Sequence, residues 1–256
     1  EARAGLYWVK KLGYVPVDKA GESVSNTLEG AYDDFCVAQV AKAVGKMNDY
    51  EMLMKRSKNY VNVYNPATGM MAPRKADGTW NKDTHTGFTE GSPWTYLFGV
   101  QQDIPGLVNL MGGKENFIKK LTANFRWVHY IHMNEPGHHY TYLYDYVGQP
   151  WRTQYLVWLN RTFLYRNHPG GMDGDDDCGQ MSAWYIFSAL GFYPVTPGTD
   201  VYAIGTPEFP KATIYFNPEN REQKFEIIAS HVSRRDKYIK SVSLNGKTLE
   251  EPFLRH

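Results

Sequence analysis

The residues with most chemical potential in this chain lie in three polar loops, the densest of them at residues 171–179. Asp173, Asp175, Asp176 and Asp177 stand among Gly171, Gly174 and Gly179, and the segment runs directly into the apolar stretch Met181-Ser182-Ala183-Trp184-Tyr185. Like charges this close are expected to raise at least one carboxyl pKa. Calcium loops and glycosidase sites both crowd carboxylates in this way. An EF-hand needs acids at positions 1, 3 and 5, Gly at 6 and Glu at 12. Counting from Asp173, position 6 is Cys178 and position 12 is Tyr185, so that pattern fails. A solvated acidic turn remains the plain alternative to a catalytic pair.

The second loop, Phe88-Thr89-Glu90-Gly91-Ser92-Pro93-Trp94-Thr95-Tyr96, sets one carboxylate among aromatics. Glu90 could serve only to favour a helix dipole. The sharper reading is a proton donor whose pKa is raised by apolar neighbours. The third loop is Asn134-Glu135-Pro136-Gly137-His138-His139-Tyr140. Zinc sites of the HExxH type need two His four apart on one helix face, and the order Glu-Pro-Gly-His-His does not supply that. The loop is either a hydrogen-bonded turn or a binder of sugar hydroxyls. Separate loops that bring carboxylates to one cleft suit glycoside hydrolysis, in which one acid protonates the leaving oxygen and a second activates water or attacks the sugar.

These loops must be carried by a framework. At 256 residues the chain can bury a sizeable core. Its aromatic share of 15% is high; such residues often line sugar or other flat-ligand sites, though large cores also absorb them. A net charge of +1 gives no reason to expect nucleic acid or an anionic membrane as partner. No apolar run approaches the ~20 residues of a membrane span. Cys36 and Cys178 are expected to be buried free thiols or one isolated bridge. The chain opens at Glu1 without Met, already in a helix-like pattern over Ala2 to Val9, and is expected to be an internal piece of a longer protein.

To about residue 192 the pattern is helical. Asn26 and Glu29 read as a capping box ahead of Leu28, Tyr32, Phe35, Ala38 and Ala41. Asn48 opens a helix carrying Leu53, Met54, Tyr60 and Val61. Ser92-Pro93 starts one through Val100, and Gly112-Gly113 divides two more, the second from Glu115 to Phe125. Gln149-Pro150 begins another, and Met181 to Leu190 is the last. After Pro194 the period shortens to that of strands at residues 200–205, 212–216, 225–229 and 239–244, with Asn245-Gly246 as a hairpin turn. The expected fold is mainly α: stacked helical hairpins of a solenoid or closed toroid at 1–195, then a β-strand tail at 196–256 belonging to a β-sandwich.

Beyond the three loops, Gly13-Tyr14-Val15-Pro16, Glu22-Ser23-Val24-Ser25, Asp77-Gly78-Thr79-Trp80, Gly148-Gln149-Pro150-Trp151 and Gly191-Phe192-Tyr193-Pro194 complete a set of motifs running almost end to end. Together with Thr89-Glu90-Gly91, Glu135-Pro136-Gly137-His138-His139 and Asp177-Cys178-Gly179-Gln180-Met181, they resemble the family 92 glycoside hydrolases, calcium-dependent exo-α-mannosidases that invert the anomeric centre. The resemblance implies the later helices of an (α/α)6 toroid, with the N-terminal β-sandwich and earlier helices on other parts of the polypeptide. It implies Glu90 as general acid, Asp177 as general base and Asp175 as its helper or substitute. Asn134 and Glu135 match positions that contact the leaving-group sugar; His138, His139 and Trp94 join them as candidate substrate-binding residues. Glu135 is also the candidate calcium ligand. Members strict for α-1,2 linkages resemble His where this chain has Asn134, and Ser92 and Thr95 stand where Asn and Gln are commoner. The implied partner is a mannose-containing oligosaccharide or glycoprotein glycan, and the implied location is secreted, periplasmic or cell-surface. Two other readings stand beside this one: a non-catalytic carbohydrate-binding homologue, or a different helical-toroid glycosidase.

Overall fold

The computed structural model describes residues 3–217, 219–233 and 235–256. Two compact units appear: Glu1–Ile131 with Thr196–Thr199, and His132–Val195 with Asp200–His256.

The first unit is built on helices α1 (Leu6–Leu12), α2 (Ser23–Ala43) and α3 (Met47–Arg56), the small hairpin β1 (Tyr64–Asn65) with β2 (Met70–Met71), and helices α4 (Ile104–Leu110) and α5 (Lys114–Arg126). Along α2, Leu28, Ala31, Phe35, Ala38 and Ala41 recur at three- and four-residue steps and are all buried. Ala38 and Ala41 pack with Leu53 of α3, flanked by Tyr50 and Met54. The Arg56 guanidinium of α3 grips the buried Asp34 carboxylate, with Nε donating to Oδ2 at 2.9 Å.

Several sequence expectations change here. Helix α1 begins after Gly5, which sits in the left-handed region at φ 72°; Ala2 lies outside the described residues. Helix α2 starts at Ser23, so Asn26 and Glu29 are interior rather than capping. Tyr60 and Val61 lie in a short 3-10 turn, Asn59–Val63, beyond α3. Residues 92–100 form turns instead of a helix. There Ser92 Oγ accepts from the amides of Trp94 and Thr95 at 3.3 Å each, so the cap bonds exist without a helix behind them.

The second unit carries a 3-10 helix, Glu135–Tyr142, then α6 (Pro150–Leu164) and α7 (Gln180–Leu190). Pro136 therefore opens a tight helix, whereas the sequence suggested only a turn. The unit's core is aromatic, with Tyr140, Tyr142, Tyr144 and Trp184 all at 2% exposure or less. Burying a side chain of this size contributes about 1.5–3 kcal/mol. Strands β3 (Phe192–Tyr193), β4 (Val201–Ile204), β5 (Lys211–Tyr215), β6 (Lys224–Ile228), β7 (Ser243–Leu244), β8 (Lys247–Thr248) and β9 (Phe253–Arg255) follow. They form three antiparallel sheets, ordered β3-β4-β9, β5-β6 and β7-β8. Asn245 and Gly246, at φ 50° and 79°, make the expected turn between β7 and β8. A cleft of about 1020 Å³ opens along these strands, lined by Phe192, Ile204, Phe225, Ile227, Val242 and Leu254. No helix among the described residues is long and apolar enough to cross a membrane. Both cysteines are free thiols; Cys36 is half-buried, while Cys178 is exposed rather than buried as expected.

Candidate active site

In the first unit, the Glu90 loop hangs from the N-terminus of α2. A helix start leaves amides without partners, and here a distant carbonyl fills the gap. Gly87 O accepts from Val24 N at 2.8 Å and from Ser25 N at 3.2 Å. Ser25 Oγ in turn accepts from Thr89 N at 2.9 Å. The buried Tyr96 hydroxyl closes the loop, donating to Thr89 O at 3.1 Å and lying 3.2 Å from Glu29 Oε1. Desolvation pushes the Glu29 carboxyl up, although the residue keeps an exposed side, and the Tyr96 hydroxyl partly offsets the shift. Tyr96 itself is pushed up to about 12, first by desolvation. Gly91 must be glycine, because a Cβ there would stand 2.6 Å from Thr95 Oγ1 and 2.7 Å from the Tyr96 ring.

At the tip, Glu90 is exposed, with its backbone in the left-handed region at φ 44°. That placement costs energy for a residue bearing a Cβ, and such outliers gather at functional positions. Within this unit Glu90 is not enclosed by apolar neighbours as its motif suggested. Trp94 is half-buried; its ring stacks on His129 at 4.4 Å with 6° between planes, and Lys120 Nζ sits 5.6 Å from its centroid.

In the second unit, the three consecutive aspartates divide their work. Asp176 Oδ1 accepts from Ser182 N at 2.9 Å, and Oδ2 accepts from Ser182 Oγ at 2.6 Å. The middle carboxylate thus caps α7 and is held below the usual range by the Ser182 hydroxyl and amide. Asp175 and Asp177, on either side, are exposed. Cys178 and Gly179, at φ 53° and 80°, turn the chain into α7.

The loop at 134–139 is placed beside this one. Asn134 precedes the 3-10 helix, and Glu135 Oε1 is buried with no hydrogen-bond partner among the described residues. Gly174, at φ 79°, lies so near Met133 that a Cβ would stand 2.8 Å from its Cβ and 3.1 Å from its carbonyl oxygen. His138 and His139 are both buried. His138 Nε2 lies 2.8 Å from His132 O and must donate to it, which leaves Nδ1 as an acceptor from Gln180 Nε2 at 3.3 Å. Burial lowers His138 to about 4 and His132 to about 3, so both rings are neutral at ordinary pH. His139 packs edge-on to Tyr140 at 4.8 Å.

The sequence reading missed Asp176, Gln180 and Ser182. An Asp at the start of α7 with a Ser six residues on was visible, but nothing in the sequence said which of three aspartates would cap. Among the described residues no three His, Cys, Asp or Glu side chains gather as a metal cage. The orphaned oxygen of Glu135 fits a single oxygen ligand.

Exposed carboxylates on loops fastened by hydrogen bonds are equipment that a glycosidase can use. The glycosyl hydrolase family 92 catalytic domain matches residues 1–256, and the chain belongs to that family. A family GH92 α-mannosidase of Bacteroides thetaiotaomicron superposes with a TM-score of 0.92 at 39% identity, over 98% of this chain and 34% of its own. A second structure from that organism, described as an inverting GH92 mannosidase, gives 0.91 at 36% identity, over 99% and 38%. An uncharacterized secreted glycosidase of Arthroderma benhamiae is 27% identical across the whole chain and 38% of its own length. The chain therefore spans little more than a third of the length of these relatives.

Proposed function

We propose that this chain carries the general acid and general base of an exo-acting α-mannosidase that releases terminal α-linked mannose with inversion. The observation that carries the reading is the division of labour at 175–177, where Asp176 is consumed in capping while Asp175 and Asp177 stay exposed. Glu90 would protonate the leaving oxygen. Asp177, helped by Asp175, would hold the attacking water on the face opposite the leaving group. Asn134 and Glu135 would meet the leaving-group sugar, and Asn134 argues against strict α-1,2 specificity.

Glu135, through its orphaned oxygen, would be one ligand of a calcium ion completed by water, sugar hydroxyls and residues elsewhere in the polypeptide. When bound, that ion would polarise vicinal hydroxyls of the sugar. The wider layout in this reading is a toroid segment over 1–195 and a sandwich tail over 196–256. A secreted, periplasmic or cell-surface location accords with the fungal relative's description as secreted.

The test is turnover of α-mannobioses of each linkage by the full-length protein, with the first-formed anomer followed by NMR. β-Mannose appearing first supports the reading; α-mannose first, or no turnover of any linkage, overturns it. Chelation should abolish activity, and calcium but not zinc should restore it. Full activity after exhaustive chelation would remove calcium from the proposal.

A further inference from the structure

The two loops of the second unit touch at both ends of the acidic segment. Before it, Gly174 meets Met133 with no room for a side chain. After it, Gln180, the first residue of α7, spends both amide hydrogens on fixed acceptors. They are His138 Nδ1 at 3.3 Å and the Tyr193 hydroxyl at 3.1 Å. His138 is itself immobile: Nε2 is bonded to His132 O, and its carbonyl accepts from the buried Trp184 Nε1 at 3.0 Å. The hydroxyl of Tyr165 donates to Met181 O at 3.1 Å and so accepts from His132 Nε2 at 2.8 Å. Tyr193 stacks on Tyr142 at 4.9 Å, and Tyr142 is bonded to Ser188 of α7.

We propose that Gln180 is a positioning residue, pinning the Asp175–Asp177 segment and the Asn134–Glu135 turn to one another through His138. The inference rests on the roles proposed above for those four residues. Its physical content is that two exposed carboxylates on a glycine-rich loop hold catalytic geometry only if the loop is tied down, since a shift of about 1 Å costs on the order of 100-fold. Asp176 ties the loop to α7; Gln180 ties α7 and the loop to the neighbouring turn. Histidine in this place is a structural acceptor with both nitrogens committed, which assigns it a different duty from contacting sugar.

The test uses the full-length protein with Gln180→Leu and Gln180→Glu. Gln180→Leu removes both bonds and should lower kcat about 10- to 100-fold with KM changed less than about threefold. In Gln180→Glu the carboxylate can bond Nδ1 only if His138 takes up a second proton. His132 and Tyr193, the ionisable groups beside it, are neutral, with Tyr193 raised to about 12, so neither competes for that role. A carboxylate neighbour raises a histidine pKa. The bond is then present at acidic pH and lost as pH rises, so Gln180→Glu should approach wild-type kcat on the acid side and fall to the Gln180→Leu level on the basic side.

Hydrogen exchange gives a readout free of activity: Gln180→Leu should speed exchange at 132–137 as well as 173–179, with the α6 core still protected. Wild-type kcat in Gln180→Leu, or faster exchange confined to residues next to 180, overturns the proposal. Absence of turnover in the wild type overturns the functional reading instead, and the exchange pattern still decides the tether.

Discussion

The Glu90 loop and the Asp175–Asp177 loop solve one mechanical problem with different atoms. Each fastens a short polar loop to the open amides of a helix N-terminus, where partners are wanted and negative charge is favoured. At α2 the acceptor is a backbone oxygen, Gly87 O. At α7 it is a side chain, the Asp176 carboxylate. A main-chain anchor does not titrate, whereas a carboxylate anchor does; both depend on their residue, since Gly87, at φ 88°, would set a Cβ 2.8 Å from Ser23 Oγ. The first attachment is thus insensitive to pH, while the second is held by charge-assisted bonds that acid can remove.

That contrast can be probed from its largest effect downward. Asp177→Asn should lower kcat by ~10³-fold or more with little change in KM, because in the proposed mechanism the carboxylate acts on water in the transition state. If Asp175→Asn costs far more, the two exposed aspartates exchange roles and the division around Asp176 still stands. Glu90→Gln should cost ~10²- to 10³-fold on mannosides with poor leaving groups and far less on activated aryl mannosides. Equal losses on both would deny it the proton-donor role.

Asp176→Ala should lower kcat about tenfold and speed hydrogen exchange at the start of α7, as a lost cap does. Acid alone should produce part of this effect. Asp176 is held below the usual carboxylate range, so its bonds contribute at neutral pH and are lost as pH falls through its lowered value. The first amides of α2, held by Gly87, should not respond; equal acid sensitivity at both helix starts would end the comparison. Tyr96→Phe is the mildest change. It removes the hydroxyl bonds to Thr89 O and Glu29, and should cost about 0.5–1.5 kcal/mol of stability with kcat reduced less than about threefold.

Much of this architecture was legible in the sequence where the deciding forces are local. The helices at 114–126, 150–164 and 180–190, and the turn at Asn245-Gly246, followed from periodicity, proline placement and glycine conformational freedom. The start of α2 was not legible, because its cap is Gly87 O, some sixty residues downstream, and Asn26 and Glu29 then have no capping left to do. The stretch at 92–100 looked helical because Ser92-Pro93 is a strong helix start, yet Ser92 and Thr95 satisfy each other's polar atoms within four residues. Which loops bear carboxylates was readable; which aspartate caps and which remain exposed was not, since that depends on where Ser182 falls once α7 forms. The buried state of His138 was hidden for a similar reason, its acceptor and donor lying in the backbone of His132 and the side chain of Gln180.

The backbone anchor at Gly87 bears on how this protein can diverge. Ser92 and Thr95 contribute to the fold of the Glu90 loop but not to its attachment, so substitutions at those two positions can accumulate one at a time while the acid keeps its place. Around α7 the attachment needs the carboxylate of residue 176, while Ser182 contributes its amide, which survives substitution, and a hydroxyl, which does not. Drift should therefore leave different marks on the two loops: independent variation at 92 and 95 beside a fixed glycine at 87, and a carboxylate kept at 176 with freer variation at 182.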